Sequence, residues 1–123
     1  MTTPDSKHIL FADDDVKLRT MLGLMLAGEG YKVSHALTGK EAIALHRHEP
    51  FDLIITELGL EGFEALMKLR RRPSPAKFIA TANSSRVPSE LCLRIGEQLG
   101  AHCVLIKPFT PEQLLAAVRS ALD

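Results

Sequence analysis

The sequence predicts an α/β fold, a doubly wound five-stranded parallel sheet with helices on both faces. Three observations lead there. Short apolar runs alternate with amphipathic stretches along the whole chain, with no linker, repeat or low-complexity tract between them. The run Phe51-Asp52-Leu53-Ile54-Ile55-Thr56-Glu57 is almost wholly apolar, as a strand buried on both faces must be. Polar or charged residues, Asp13, Glu57, Thr81 and Lys107, close four of these runs at the same end. Right-handed crossovers and the strand order 2-1-3-4-5 put the third strand at the centre. Its carboxyl end, the edge at which open α/β sheets carry their chemistry, is Glu57.

Taken in order, Met1 to Ser6 is polar and reads as a flexible tail before a domain spanning residues 7–123. Lys7 to Ala12 is the first strand. Asp13-Asp14-Asp15 forms the turn after it, and one of these carboxylates caps the next helix. Val16, Leu18, Met21, Leu22, Met25 and Leu26 recur at three and four through that helix, which Gly28 and Gly30 end. Tyr31 to Ala36 alternates and reads as a second, more exposed strand. Thr38 with Glu41 is a capping-box pattern opening the second helix, whose apolar side is Ala42, Ile43 and Leu45 and which Pro50 closes. The third strand, Phe51 to Glu57, follows.

Gly59 and Gly62 bracket a tight loop. Phe63 to Arg72 is a short helix with Leu66 and Leu69 inward. Its basic end, Lys68-Leu69-Arg70-Arg71-Arg72, suits a negative helix terminus and reads as solvated rather than phosphate-binding. Pro73 and Pro75 punctuate, and Lys77 to Ala82 is the fourth strand. Asn83 to Pro88 is a polar loop, Ser89 to Leu99 the fourth helix, and Ala101 to Lys107 the fifth strand after a turn at Gly100. Thr110-Pro111-Glu112 supplies a cap, a proline at the first position and an acid in the first turn. The final helix carries Leu114, Leu115, Val118 and Leu122.

The 123 residues suffice for one domain, and 46% hydrophobic residues argue against disorder. Lys+Arg and Asp+Glu are both 15, so net charge gives no case for nucleic-acid binding. Aromatics at 5% and the absence of Trp argue against base-stacking platforms. Cys92 and Cys103 do not make a metal spacing and read as reduced thiols. His46 and His48 lie two apart and do not share a helix face, and His35 and His102 read as partly exposed, so no histidine is read as a ligand. No apolar run approaches a membrane span and the N-terminus lacks a secretory core, so the expectation is a soluble cytoplasmic protein without membrane contact.

The strand ends carry the chemistry. Carboxylates at about 4 Å repel by about 4 kcal/mol per pair at an effective dielectric near 20. A divalent cation with oxygen ligands offsets this, and so does Lys107. The bland alternative is that Asp14 or Asp15 only caps a helix and Lys107 is only a counter-ion. Asp52 begins its strand, at the far end from the acidic turn, and is a poor acceptor of any group brought there.

Ile9-Leu10-Phe11-Ala12-Asp13-Asp14-Asp15, Asp52-Leu53-Ile54-Ile55, Phe78-Ile79-Ala80-Thr81-Ala82, Gly100-Ala101 and Lys107-Pro108-Phe109 together resemble the receiver domain of two-component response regulators. The resemblance covers essentially the whole chain. It implies that Asp13 and Asp14 are the acidic pair that helps hold Mg²⁺, with the Gly59 carbonyl as a further ligand. It places Glu57 at the phosphoacceptor aspartate, Thr81 at the hydroxyl that bonds the phosphoryl group, and Lys107 at the ammonium that pairs with it. It also implies a cis Lys107-Pro108 bond.

Three positions depart from that pattern. Glu57 replaces the acceptor aspartate and reaches further by roughly 1.5 Å. It sets a permanent charge of about −1 where a phosphate brings −1.5 to −2. The loop Leu58-Gly59-Leu60-Glu61-Gly62-Phe63 is shorter than the family's Met-Pro-x-Met-Asp-Gly-like run, which bears on Gly59 as a ligand. Val104 stands where the family carries a switch Tyr or Phe, and reads equally as a strand residue packing under the fourth helix.

The reading is therefore a signalling module rather than an enzyme: a divergent receiver with Glu57 pairing with Lys107 and phosphorylation weak or absent. Its partners would be a histidine kinase or another signalling protein, or a second copy, through the face of the fourth helix, fifth strand and last helix. Direct nucleic-acid contact is not expected. The alternative is a Mg²⁺-dependent haloacid-dehalogenase-like phosphatase using Asp13 as nucleophile and Asp15 as acid/base. It is disfavoured by Lys17 at the next motif position and by the lack of a cap module. A flavodoxin-like cofactor site fails because the acidic first loop could not cradle a phosphate.

Overall fold

The structure is a computed structural model and describes residues 6–70, 76–83 and 88–123. Ten elements alternate: β1 (His8–Ala12), α1 (Val16–Gly28), β2 (Lys32–Ala36), α2 (Gly39–His48), β3 (Leu53–Glu57), α3 (Phe63–Arg70), β4 (Lys77–Asn83), α4 (Ser89–Gln98), β5 (Cys103–Lys107) and α5 (Pro111–Leu122). The strands form one parallel sheet in the order β2-β1-β3-β4-β5, as the alternation predicts. Most of the N-terminal tail, the Arg71-Arg72 run with Pro73 and Pro75, and residues 84–87 of the polar loop lie outside the described residues, as does the Leu69 side chain.

The register divides the sheet into two cores. Ile9, Phe11, Leu53, Ile55 and Ile79 point to the layer of α1 and α5, meeting Leu22, Leu26, Leu114 and Val118. Leu10, Ala12, Ile54, Phe78 and Ala80 point the other way, to Ala42 of α2 and Leu66 and Met67 of α3. Strands buried on both faces need apolar residues at both parities, which is why β1 and β3 read as continuous runs. Edge strand β2 is more exposed than the wholly buried β1, as its alternation implied.

Asp15 is the cap of α1, its carboxylate accepting from Leu18 N–H at 3.1 Å. Thr38 caps α2 through Glu41 N–H, but the reciprocal contact differs from a full capping box: Glu41 Oε1 accepts from Leu37 N–H at 3.4 Å instead of from Thr38. Thr110 and Gln113 make the complete box on α5.

Several boundaries shift for identifiable reasons. Tyr31 is not in β2, because its N–H closes α1 on Leu26 O while Gly30 takes φ +97. Ala101 is likewise not in β5: its N–H returns to Gly96 O, with Gly100 at φ +76. Phe51 is buried ahead of β3, its N–H held by His46 Nδ1 at 3.2 Å. Val16 and Met21 are not core residues but 54% and 57% exposed, because the buried line of α1 runs through Leu22, Gly23 and Leu26. Cys92 is buried and Cys103 half-buried, and neither is in a disulfide among the described residues.

Candidate functional site

In parallel strands, residues in register point to the same face. Ala12 pairs with Thr56, Glu57 with Thr81 and Asn83 with Lys107. Asp13, Glu57, Thr81 and Lys107 therefore share one parity and leave the sheet together at its carboxyl edge. The structure brings these four predicted residues into one place, and Asp14 joins them from the turn. Asp13, Asp14 and Glu57 each offer a carboxylate oxygen, and these three atoms lie within 4.8 Å of one another.

Asp13 is wholly buried, and each of its carboxylate oxygens accepts one hydrogen bond. Its N–H donates to Ala36 O at 3.0 Å, and its Oδ1 accepts from Asp15 N–H at 2.8 Å. Its Oδ2 accepts from Lys107 Nζ at 3.0 Å. Lys107 Nζ also lies 3.5 Å from Glu57 Oε1. Burial works against the lysine's charge, but the hydrogen bond and charge of Asp13, with Glu57, outweigh it and raise its pKa. Glu57 is in the opposite situation. Burial raises its pKa, Lys107 pulls it back, and Asp13 and Asp14 push it up again, so it ends above the usual carboxylate value. One ammonium is shared by two carboxylates, Asp13 has the closer share, and Glu57 is under-compensated.

Thr81 is buried, and its hydroxyl has no hydrogen-bond partner among the described residues. Gly59 lines the same cleft as Asp14, Asp15, Glu57 and Lys107. Lys107-Pro108 is cis. Val104 has the other parity and packs under α4, where a Cβ on Gly96 would overlap its Cγ2. His46 and His48 contribute nothing to this edge. Asp52 lies at the opposite edge, its Oδ2 accepting from His8 N–H at 2.8 Å.

One contributor escapes sequence reasoning. Arg19 Nε donates to Asp13 O at 3.0 Å and ties the acidic turn to α1. The only signal was a basic residue early in a helix, where the dipole disfavours it.

An open parallel sheet whose carboxyl edge gathers an acidic pair, a third carboxylate, a buried hydroxyl and a lysine defines a receiver-type signalling module. The chain belongs to the response regulator receiver domain family, which matches residues 9–119, and is a receiver domain of two-component signalling. It is 32% identical over 118 residues to an uncharacterized transcriptional regulatory protein, YkoG, of Bacillus subtilis (strain 168), covering 94% of this chain and 50% of that protein. It is 33% identical over 120 residues to the probable transcriptional regulator ycf27 of Porphyra purpurea, covering 94% and 47%. The chain thus spans about half the length of these curated relatives. Among solved structures it resembles a CheY-like receiver domain protein from Methanospirillum hungatei JF-1, with TM-score 0.82, 29% identity and coverage of 97% and 95%. It also resembles the chemotaxis response regulator CheY4 of Vibrio cholerae, with TM-score 0.81, 30% identity and coverage of 95% and 99%. These likenesses give no support to the haloacid-dehalogenase alternative, and Asp15 is occupied as a helix cap. No helix among the described residues is long and apolar enough to cross a membrane.

Proposed function

We propose that this domain is an atypical receiver that works through protein contacts and does not carry a phosphoryl group at position 57. The observation that carries the reading is the position of Glu57 Oε1, 3.5 Å from the Lys107 ammonium. A carboxylate fixed there takes up the cation that a phosphoryl group would need. Its extra methylene, roughly 1.5 Å of reach, also displaces the attacking oxygen. Glu57 nevertheless supplies less charge than a phosphate, and Thr81 remains unbonded to it. The state is one of a paired lysine without an engaged threonine. Val104, lacking a ring, fits a module whose readout differs from the usual switch.

Asp13, Asp14 and the Gly59 carbonyl are the groups that would hold Mg²⁺. The donor set is all hard oxygen, as that ion requires, and no described residue donates a hydrogen bond to the Gly59 carbonyl. The ion would relieve the repulsion that leaves Glu57 under-compensated. The working unit is residues 7–123, acting in the cytoplasm without direct nucleic-acid contact. Leu91 and Ile95, one turn apart on α4, the helix that packs on β5, are exposed apolar groups. They support the face of α4, β5 and α5 as the surface for a histidine kinase, another signalling protein or a second copy.

The test is intact-mass analysis after incubation with acetyl phosphate and Mg²⁺, wild type beside Glu57→Asp. The expected result is no added phosphoryl group on wild type and one on Glu57→Asp. Phosphorylated wild type would refute the proposal. If neither chain reacts, the short loop rather than the methylene has disabled the site.

A further inference from the structure

The connection from β3 to α3 is short, and its backbone is bonded at nearly every step. Leu58 N–H donates to Thr81 O at 2.9 Å, Leu60 N–H to Glu57 O at 3.1 Å and Phe63 N–H to Leu60 O at 3.0 Å. Leu66 N–H donates to Gly62 O at 3.1 Å, which starts α3. The Leu60 side chain is buried in the core below. The remaining bond leaves the loop altogether: Gly39 N–H, at the first residue of α2, donates to Glu61 O at 2.6 Å.

Beside that bond two glycines meet without any side chain between them. Gly62 takes φ +83, a conformation L side chains rarely adopt. A Cβ on Gly39 would overlap the carbonyl of Gly62. A Cβ on Gly62 would lie 3.1 Å from both Gly39 Cα and Lys40 N. The obstructing atoms are backbone on both sides, so neither partner has a rotamer by which to yield.

We infer that Gly39 and Gly62 form a backbone clasp that joins the 58–62 loop and the first turn of α2 into one rigid piece. The clasp fixes the sheet edge beside Glu57. It holds the Gly59 carbonyl through its neighbours, since that group has no hydrogen bond of its own among the described residues. Opening the loop then requires opening the start of α2. The two segments act as one cooperative unit rather than as an independent surface loop. The inference stands on backbone geometry and is separate from whether position 57 is phosphorylated.

Amide hydrogen exchange on the full chain tests it. In wild type, the Gly39, Leu60 and Phe63 amides are expected to be protected and to exchange together. Gly39→Ala lowers protection at Leu60 and Phe63 by about tenfold or more, although neither residue is its neighbour in sequence. Gly62→Ala does the same, and because both substitutions break one contact the double variant loses less protection than the sum of the two single losses, although Gly62→Ala adds the backbone strain of a side chain at φ +83. Gly28→Ala, where an added Cβ meets nothing within 4 Å, leaves these amides unchanged. The clasp is wrong if Gly39→Ala spares Leu60 and Phe63. Should that variant fail to fold, the wild type alone decides, because unprotected or independently exchanging amides at these three positions overturn the clasp.

Discussion

Lys107 Nζ and Asp13 Oδ2 lie 3.0 Å apart across 94 residues of sequence. This bond ties the end of edge strand β5 to the end of β1 over the tops of β3 and β4. Asp13 is buried and Lys107 nearly so, so the pair is not a surface ion pair of negligible worth.

Removing the lysine leaves two carboxylates at the edge without their cation. Lys107→Met is expected to destabilise the domain by about 3 kcal/mol, the cost of leaving a buried charge uncompensated. Urea denaturation at neutral pH and low salt measures it. A loss below 0.5 kcal/mol, the scale of exposed pairs, would contradict the burial argument.

Glu57 holds the lesser share of that lysine, and its raised pKa means that folding favours its neutral form. The contribution is present below the ordinary carboxylate pKa and lost as pH rises through the folded value. Glu57→Gln is therefore expected to raise the urea midpoint at pH 7 and to leave it nearly unchanged at pH 4. An equal rise at both pH values would point to packing rather than charge.

Thr81 buries a hydroxyl without a partner among the described residues. Thr81→Val keeps the shape and discards the polar atom, and should be neutral or stabilising by up to about 1 kcal/mol. Thermal or urea unfolding reads the sign. A loss of stability would mean the hydroxyl is bonded in solution.

His8 and His46 both have lowered pKa values, chiefly through burial. His46 Nδ1 also accepts the Phe51 N–H, a bond that protonation at that nitrogen destroys. For a histidine lowered below its unfolded value, the unfolded chain takes up the proton first. Stability is complete above about pH 6.5 and declines as pH falls below it. Glu49, Lys32 and Asp52 face His8, and the Glu49 and Asp52 charges reduce the effect without reversing it. Comparing urea midpoints at pH 8 and pH 5.5 tests this, and His46→Asn should flatten the dependence.

Gly96 lies against Val104 with no room for a methyl group. Gly96→Ala should cost about 1–3 kcal/mol by overpacking. Val104→Ala in the same chain should return part of that loss, a coupling that a double-mutant cycle on unfolding free energies measures.

The fold was legible because its determinants are local. Apolar runs through β1 and β3, caps at Asp15, Thr38 and Thr110, and glycines at helix ends all state their roles within a few residues. The converging site was legible because strand ends lie on one edge by topology. The distribution of the single lysine charge was not. Whether Lys107 favours Asp13 or Glu57 depends on distances of 3.0 and 3.5 Å that no spacing encodes. The exposure of Val16 and Met21 was not legible, because helical spacing gives a period but not which line faces inward. Arg19 and the meeting of Gly39 with Gly62 depend on approaches between distant segments.

Thr81 and Val104 stand at opposite parities of neighbouring strands, for Thr81 pairs with Leu105 and Val104 with Ala80. The Thr81 side chain shares the parity of Ile79, which faces the α1 and α5 layer, whereas Val104 packs on the other side. The cleft that Glu57 and Lys107 line is also lined by Cys92 and Ile95, so α4 borders the site directly and needs no relay through the sheet to feel a change of charge there.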